Sequence, residues 1–232
     1  MVQRERNQAK TLALVVVAGL AALFVAVSVV KLGSEPQVDA RDGLARMKAG
    51  NARFVADKPH HAGQSASRRA ALAEGQHPYA TVLTCSDSRV PPELIFDAGL
   101  GELFVVRTAG HVVDAAALGS VEYAVEHLHT PTIVVLGHSG CGAVKATVEA
   151  NEKHTQAEGA VAALITAITP AVKQAKTLPG DEVANAVRCN VTNTMAQLAD
   201  SRPVLFNEIV GARVRVAGAV YDLASGRVDW LK

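Results

Sequence analysis

Apolar positions along the chain fall into three textures. The first is one uninterrupted block: residues 11–30 carry no charge and only Thr11 and Ser28 as hydroxyl side chains. As a helix this block spans about 30 Å, the hydrocarbon thickness of a bilayer. A buried core helix usually keeps polar residues on one side. A cleaved signal peptide has an apolar stretch of about 7–15 residues ending in an A-x-A-like site. Ala26-Val27-Ser28 approaches that pattern but lies inside the block. Residues 1–31 therefore read as an uncleaved membrane anchor, with a signal segment as the alternative. Arg4, Arg6 and Lys10 precede the block and Lys31 follows it, which places the N-terminus inside and the remainder outside the cytoplasm, periplasmic in a bacterium-like cell. Cleavage would instead release that remainder.

The second texture has a helical period. Beyond a linker at 32–39 containing Gly33-Ser34-Glu35-Pro36, residues 39–56 read as a helix with Leu44, Met47, Ala52, Phe54 and Val55 at its apolar positions. Asp42 is a cap near its start. Helical character returns at 66–74, at 115–127 and in three Ala-rich stretches, 143–154, 156–176 and 181–200. The third texture is short β-branched runs at 81–84, 103–106, 132–136 and 214–220. Strands alternating with helices predict an α/β domain over 40–232, with a mostly parallel central sheet flanked by helices.

Composition narrows the function classes. A chain of 232 residues, 49% hydrophobic, fills one core or two small ones and is no disordered segment. Of its 23 basic and 22 acidic residues, four and one lie in 1–31, leaving 19 against 21. A slightly acidic domain with few aromatic rings lacks the basic stripe and stacking surfaces of a nucleic-acid binder. Three cysteines do not make a disulfide scaffold.

The chemistry sits where two strands stop. The first runs into Cys85-Ser86-Asp87-Ser88-Arg89, the third into Gly137-His138-Ser139-Gly140-Cys141-Gly142. Carboxyl ends of strands are where open parallel sheets bind ligands. Alternation along an extended segment would throw Cys85, Asp87 and Arg89 to one side. His138 and Cys141, three apart across a glycine-rich turn, can converge. Two thiolates and an imidazole suit Zn²⁺, and three protein ligands leave its fourth position open, the mark of a catalytic site. Plainer readings are available for each part. A cysteine at a strand end is commonly a small buried hydrophobe, and outside the cytoplasm Cys85 and Cys141 could form a disulfide. A phosphate loop fails, because Ala143-Val144 stands where Lys-Ser/Thr is required. Cys189 has no partner at metal-binding spacing and reads as a packing residue or spare thiol.

At these residues the chain resembles the β-class carbonic anhydrases. Cys85-Ser86-Asp87-Ser88-Arg89-Val90-Pro91 and Gly137-His138-Ser139-Gly140-Cys141-Gly142-Ala143-Val144 are similar to the two signature segments of that family. Further similarity lies in Gly50-Asn51 with Arg53-Phe54, in Gly101-Glu102-Leu103-Phe104-Val105-Val106-Arg107, in Ser120-Val121-Glu122-Tyr123-Ala124-Val125 and in Gly218-Ala219-Val220-Tyr221-Asp222. About residues 40–230 are covered, in the family's order.

The resemblance implies zinc-dependent, reversible hydration of CO2 to bicarbonate and a proton by zinc-bound hydroxide, a role in carbon utilization or pH balance. It implies Cys85, His138 and Cys141 as zinc ligands, and Asp87 and Arg89 as a catalytic pair beside the metal. Arg89 holds Asp87 off the zinc in an open form; in a closed form of some members Asp87 itself ligates. Gln76 matches a substrate-orienting glutamine, and the family's dimers and tetramers place the site near a subunit interface. His60, His61, His77 and His111 could carry the proton on side-chain pKa alone. The chain departs from the family's commoner wording at Arg107-Thr108-Ala109-Gly110-His111, where Arg-Asn-x-Gly/Ala-Asn is usual. Val82 occupies the place of a tryptophan that some members associate with a bicarbonate regulatory site, so no such site and an open centre near neutral pH are expected. Two rivals share the fold or the metal: a COS or CS2 hydrolase, and a silent membrane-tethered zinc-binding module. Retention of Asp87, Arg89 and Gln76 speaks against the latter, since a structural zinc needs none of them.

Overall fold

The β-branched runs form buried strands. In the computed structural model, which describes residues 40–231 except Gln156, β1 (Ala80–Cys85), β2 (Leu103–Thr108), β3 (Thr132–His138) and β4 (Arg215–Tyr221) lie parallel, and β5 (Val228–Trp230) closes the edge antiparallel to β4. The strand order is β2-β1-β3-β4-β5. The apolar block 11–30, and with it the anchor and signal readings, lies outside the described residues. Among the described residues no helix is long and apolar enough to cross a membrane.

Every residue of β1 and β3 is buried, so the two strands read as continuous apolar runs, and helices cover both faces. Alternation sorts their side chains. Val82, Val134 and Leu136 enter one core with Leu44 and Met47 of α1 (Ala40–Val55). Leu83, Ile133 and Val135 enter the other, with Val121 of α4 (Ala115–Glu126) and Val191 and Leu198 of α7 (Glu182–Ala199). Helix α7 packs close to β3 and β4 because glycines let it. A Cβ on Gly137 would lie 2.7 Å from Val191 Cγ2, and one on Gly218 would lie 2.9 Å from Val191 Cγ1.

The predicted helices at 39–56, 115–127, 143–154 and 181–200 are present as α1, α4, α5 (Gly142–Lys153) and α7. The stretch 66–74 keeps helix only over α2 (Ala66–Ala71), and 156–176 only over α6 (Val161–Ala175). Gly159, with φ 61°, breaks the chain before α6. Three elements left no usable pattern in the sequence: α3 (Pro92–Ile95), α8 (Val204–Val210) and β5. One or two turns of helix, or three residues of strand, are too short to display a period.

The order of strands positions the site. β1 pairs with β2 on one side and β3 on the other. The connection leaving β1 toward β2 and the one leaving β3 toward β4 therefore diverge, opening a crevice at the strands' carboxyl ends.

Candidate metal centre

Cys85 is the last residue of β1 and His138 the last of β3, so adjacent parallel strands deliver both to one end of the sheet. Cys141 comes from the turn that follows and stands at the N-cap of α5. That turn is pinned at Ser139, whose N–H donates to Tyr221 O (2.8 Å) and whose Oγ accepts from Leu223 N (2.9 Å). Gly140, at φ 64°, supplies the left-handed step that brings Cys141 back toward His138.

The ligating atoms of Cys85, His138 and Cys141 lie within 4.8 Å of one another, and all three residues are buried. The His138 Nδ1–H donates to the Ser139 carbonyl at 3.0 Å, which leaves the Nε2 lone pair facing inward. Nε2 is buried and has no hydrogen-bond partner. Around Cys85, hydrogen bonding from Cys141 pulls the thiol far below its ordinary pKa. Burial opposes this, while His138 and the N–H groups of Asp87 (3.4 Å) and Gly110 (3.3 Å) add to it. Cys141 is pushed up in turn by its hydrogen bond to Cys85 and by burial, while the N–H groups of Val144 and Ala143 at the start of α5 pull it down. Two crowded thiols and a bare imidazole nitrogen form a set that one divalent cation satisfies. Binding it would exchange the thiol proton for the metal and give the orphaned Nε2 a partner. The S, N, S donor set fits zinc, with three protein ligands and a fourth position open.

Beside the ligands Arg89 grips Asp87 with both prongs of its guanidinium, Nε to Oδ1 at 2.9 Å and Nη2 to Oδ2 at 2.7 Å, and its own N–H adds 3.0 Å to Oδ1. This holds the Asp87 carboxyl well below the usual carboxylate range. The two residues come together otherwise than by strand alternation. β1 ends at Cys85, and a turn closed by Val90 N on Asp87 O brings Arg89 back over the carboxylate. Arg107, one residue before the end of β2, braces this turn by donating from Nε to Cys85 O (3.0 Å) and from Nη2 to Asp87 O. Its signals in the sequence were a charge near the end of an apolar strand and its place in the segment resembling the family's second strand.

The remaining expectations fare unequally. Gln76 is exposed on the loop before β1, and no hydrogen bond joins it to Asp87, Arg89 or the ligands among the described residues. His60, His61 and His77 are exposed, whereas His111 is 1% exposed and held neutral, its pKa lowered to about 4 chiefly by burial. That burial removes His111 from the residues able to hand a proton to solvent. Cys85, Cys141 and Cys189 are all free thiols, so the disulfide alternative does not form.

Comparison with known proteins agrees with this geometry. The family model described as carbonic anhydrase matches residues 80–228. A carbonic anhydrase of Mycolicibacterium smegmatis is 44% identical over 183 residues, covering 79% of this chain and 89% of its own. The β-carbonic anhydrase of Coccomyxa, solved with acetazolamide, superposes with a TM-score of 0.63 at 26% identity over 82% of each chain. A tetrameric β-carbonic anhydrase of Sordaria macrospora shares the fold, with a TM-score of 0.65 at 24% identity over 79% of this chain and 93% of its own. With the Cys85–His138–Cys141 cluster, the Asp87–Arg89 pair and the 2-1-3-4 parallel sheet all in place, this chain belongs to the β-carbonic anhydrase family.

Proposed function

We propose that this chain catalyses the reversible hydration of CO2 to bicarbonate with zinc held by Cys85, His138 and Cys141. The carrying observation is the His138 Nε2 lone pair, buried and unpartnered between two thiols, with an ionised Asp87 oxygen 3.9 Å away. Zinc bound there would supply a water acidified far below its bulk pKa. The protein's own part is orientation. The Asp87 carboxylate can accept one hydrogen bond at the open position, and Arg89 keeps it ionised and fixes its direction. Arg107 holds the backbone that carries both. Gln76 sits outside this network, exposed, in a family whose relatives include a tetramer. It would meet substrate in a homodimer or tetramer that completes the site. The apolar block 11–30 would tether the enzyme to a membrane with its catalytic domain outside the cytoplasm.

The test is stopped-flow CO2 hydration on the full chain, with zinc content measured on the same sample. Activity that tracks zinc and disappears in Cys141→Ala supports the reading. Stoichiometric zinc without CO2 turnover at neutral or alkaline pH overturns it, and COS then becomes the substrate to assay.

A further inference from the structure

Asn190 lies on α7, far along the chain from every ligand, yet it is 5% exposed and its side chain serves the metal centre through one peptide. Its amide nitrogen donates to the Gly110 carbonyl at 2.9 Å and to His111 Nε2 at 3.0 Å. Each amide hydrogen therefore has one acceptor. Because His111 Nε2 accepts, its proton resides on Nδ1, and the imidazole is neutral. The amide cannot be turned round, since its oxygen would then face the Gly110 oxygen.

Gly110 relays this clamp. Its carbonyl is held by Asn190, and its N–H donates to Cys85 Sγ at 3.3 Å. The residue has φ 64° and ψ 21°, a conformation that glycine adopts without cost. A Cβ there would lie 2.7 Å from Ile168 Cδ1 and 3.1 Å from Ala143 Cβ. A side chain there would press on both neighbours and strain the left-handed backbone that faces the N–H toward the sulfur.

We propose that Asn190 is a positioning residue for the metal centre: by holding Gly110 and His111 it aims the Gly110 N–H at the Cys85 sulfur. A hydrogen bond of this kind draws charge from the thiolate and fixes its lone pairs, so it sets how strongly Cys85 donates to a bound ion. The inference rests on the ligand assignment made above and adds a residue remote in sequence that tunes one of the ligands.

Asn190→Leu keeps the volume and removes the donor. Zinc affinity is read by competition with a chelator, and the thiolate-to-metal charge-transfer band is read in the cobalt-substituted protein. The expected result is affinity lower by about 10- to 100-fold and a displaced charge-transfer band. Leu198→Ala, a core truncation on the same helix that touches none of these groups, controls for loss of stability. It should lower the thermal midpoint and leave the band in place. If Asn190→Leu retains the wild-type band and affinity, or loses them only as far as Leu198→Ala does, the positioning role is overturned. If wild type itself gives no thiolate-to-cobalt band, the ligand assignment fails first, and the two failures are distinguishable.

Discussion

One carboxylate oxygen, Asp87 Oδ2, lies 2.7 Å from Arg89 Nη2 and 3.9 Å from His138 Nε2. It is bonded to the guanidinium and stands one short displacement from the nitrogen that would ligate the metal. With a metal held there, this one side chain could either leave the open position free or fill it. What decides the choice is the two-pronged grip of an arginine that is itself mostly exposed. Arg89→Ala should let Asp87 turn onto the metal. CO2 hydration is expected to fall about 10- to 100-fold with zinc content unchanged. Asp87→Asn in the same background cannot close the site as a carboxylate would, so a cobalt spectrum that changes in Arg89→Ala and reverts in the double variant checks the cause. An Arg89→Ala protein with full turnover would show that the grip is dispensable.

His111 gives the stability of the fold a particular pH dependence. Burial lowers its pKa to about 4 from the ordinary histidine value of 6.5. The unfolded chain therefore binds a proton more readily than the folded one between these values. Its contribution is fully present above about pH 6.5 and is lost as pH falls toward about 4. At 1.36 kcal/mol per pH unit the loss approaches about 3 kcal/mol. Thermal midpoints of wild type and His111→Asn should converge as pH is lowered through this window, with wild type falling more steeply. Parallel curves would mean that His111 is charged, or exposed, in the folded protein.

Asn51 explains why an Asn follows Gly50 in the first helix. Its amide donates to Ile95 O (3.2 Å) and Gly226 O (2.8 Å), and its oxygen accepts from Val228 N (3.0 Å). One buried side chain thus ties α1 to the last residue of α3, to the turn before β5 and to the first residue of β5. Asn51→Ala leaves two buried backbone groups and one half-buried one without this partner, a loss of about 3 kcal/mol after partial rehydration. None of these groups is a ligand, so zinc affinity per folded molecule should stay at the wild-type value. Chemical denaturation and metal titration on the same variant measure the two quantities separately.

How far the sequence discloses this molecule depends on the range over which each feature is determined. The strands and the long helices are local, because a run such as Ile133-Val134-Val135-Leu136 has one buried, extended solution. The cluster of Cys85, His138 and Cys141 is legible because each sits at the end of such a run or one turn beyond it. Asp87 and Arg89 were paired correctly by motif and incorrectly by geometry, since the chain leaves the strand at Cys85 and a turn does the work. Asn190 carried no signal at all. Its role is created by α7 crossing the end of β3, and nothing within its own helix distinguishes it from Asn185 or Asn193. Gln76 shows the opposite case: its motif is readable, but it is exposed, and among the described residues no hydrogen bond joins it to the site.

Gly50 and Gly119 make a paired test of the packing. Both lie in helices, where glycine is inferior to alanine by about 0.5–1 kcal/mol for reasons of backbone entropy alone. A Cβ on Gly119 would meet nothing within 4 Å, so Gly119→Ala should recover that energy and raise the thermal midpoint by about 2–3 °C. On Gly50 the same carbon would lie 1.8 Å from the Phe96 carbonyl oxygen. Backbone cannot rotate aside as a side chain can, so α1 would have to separate from the loop it packs against. That separation would also pull Asn51 from Ile95 O and stretch the 2.6 Å pair between Arg53 Nε and Asp97 Oδ2. Gly50→Ala should therefore fail to accumulate as folded protein, or melt far below wild type, while Gly119→Ala melts above it. Equal midpoints for the two variants would mean that α1 does not rest on the Phe96 backbone as described.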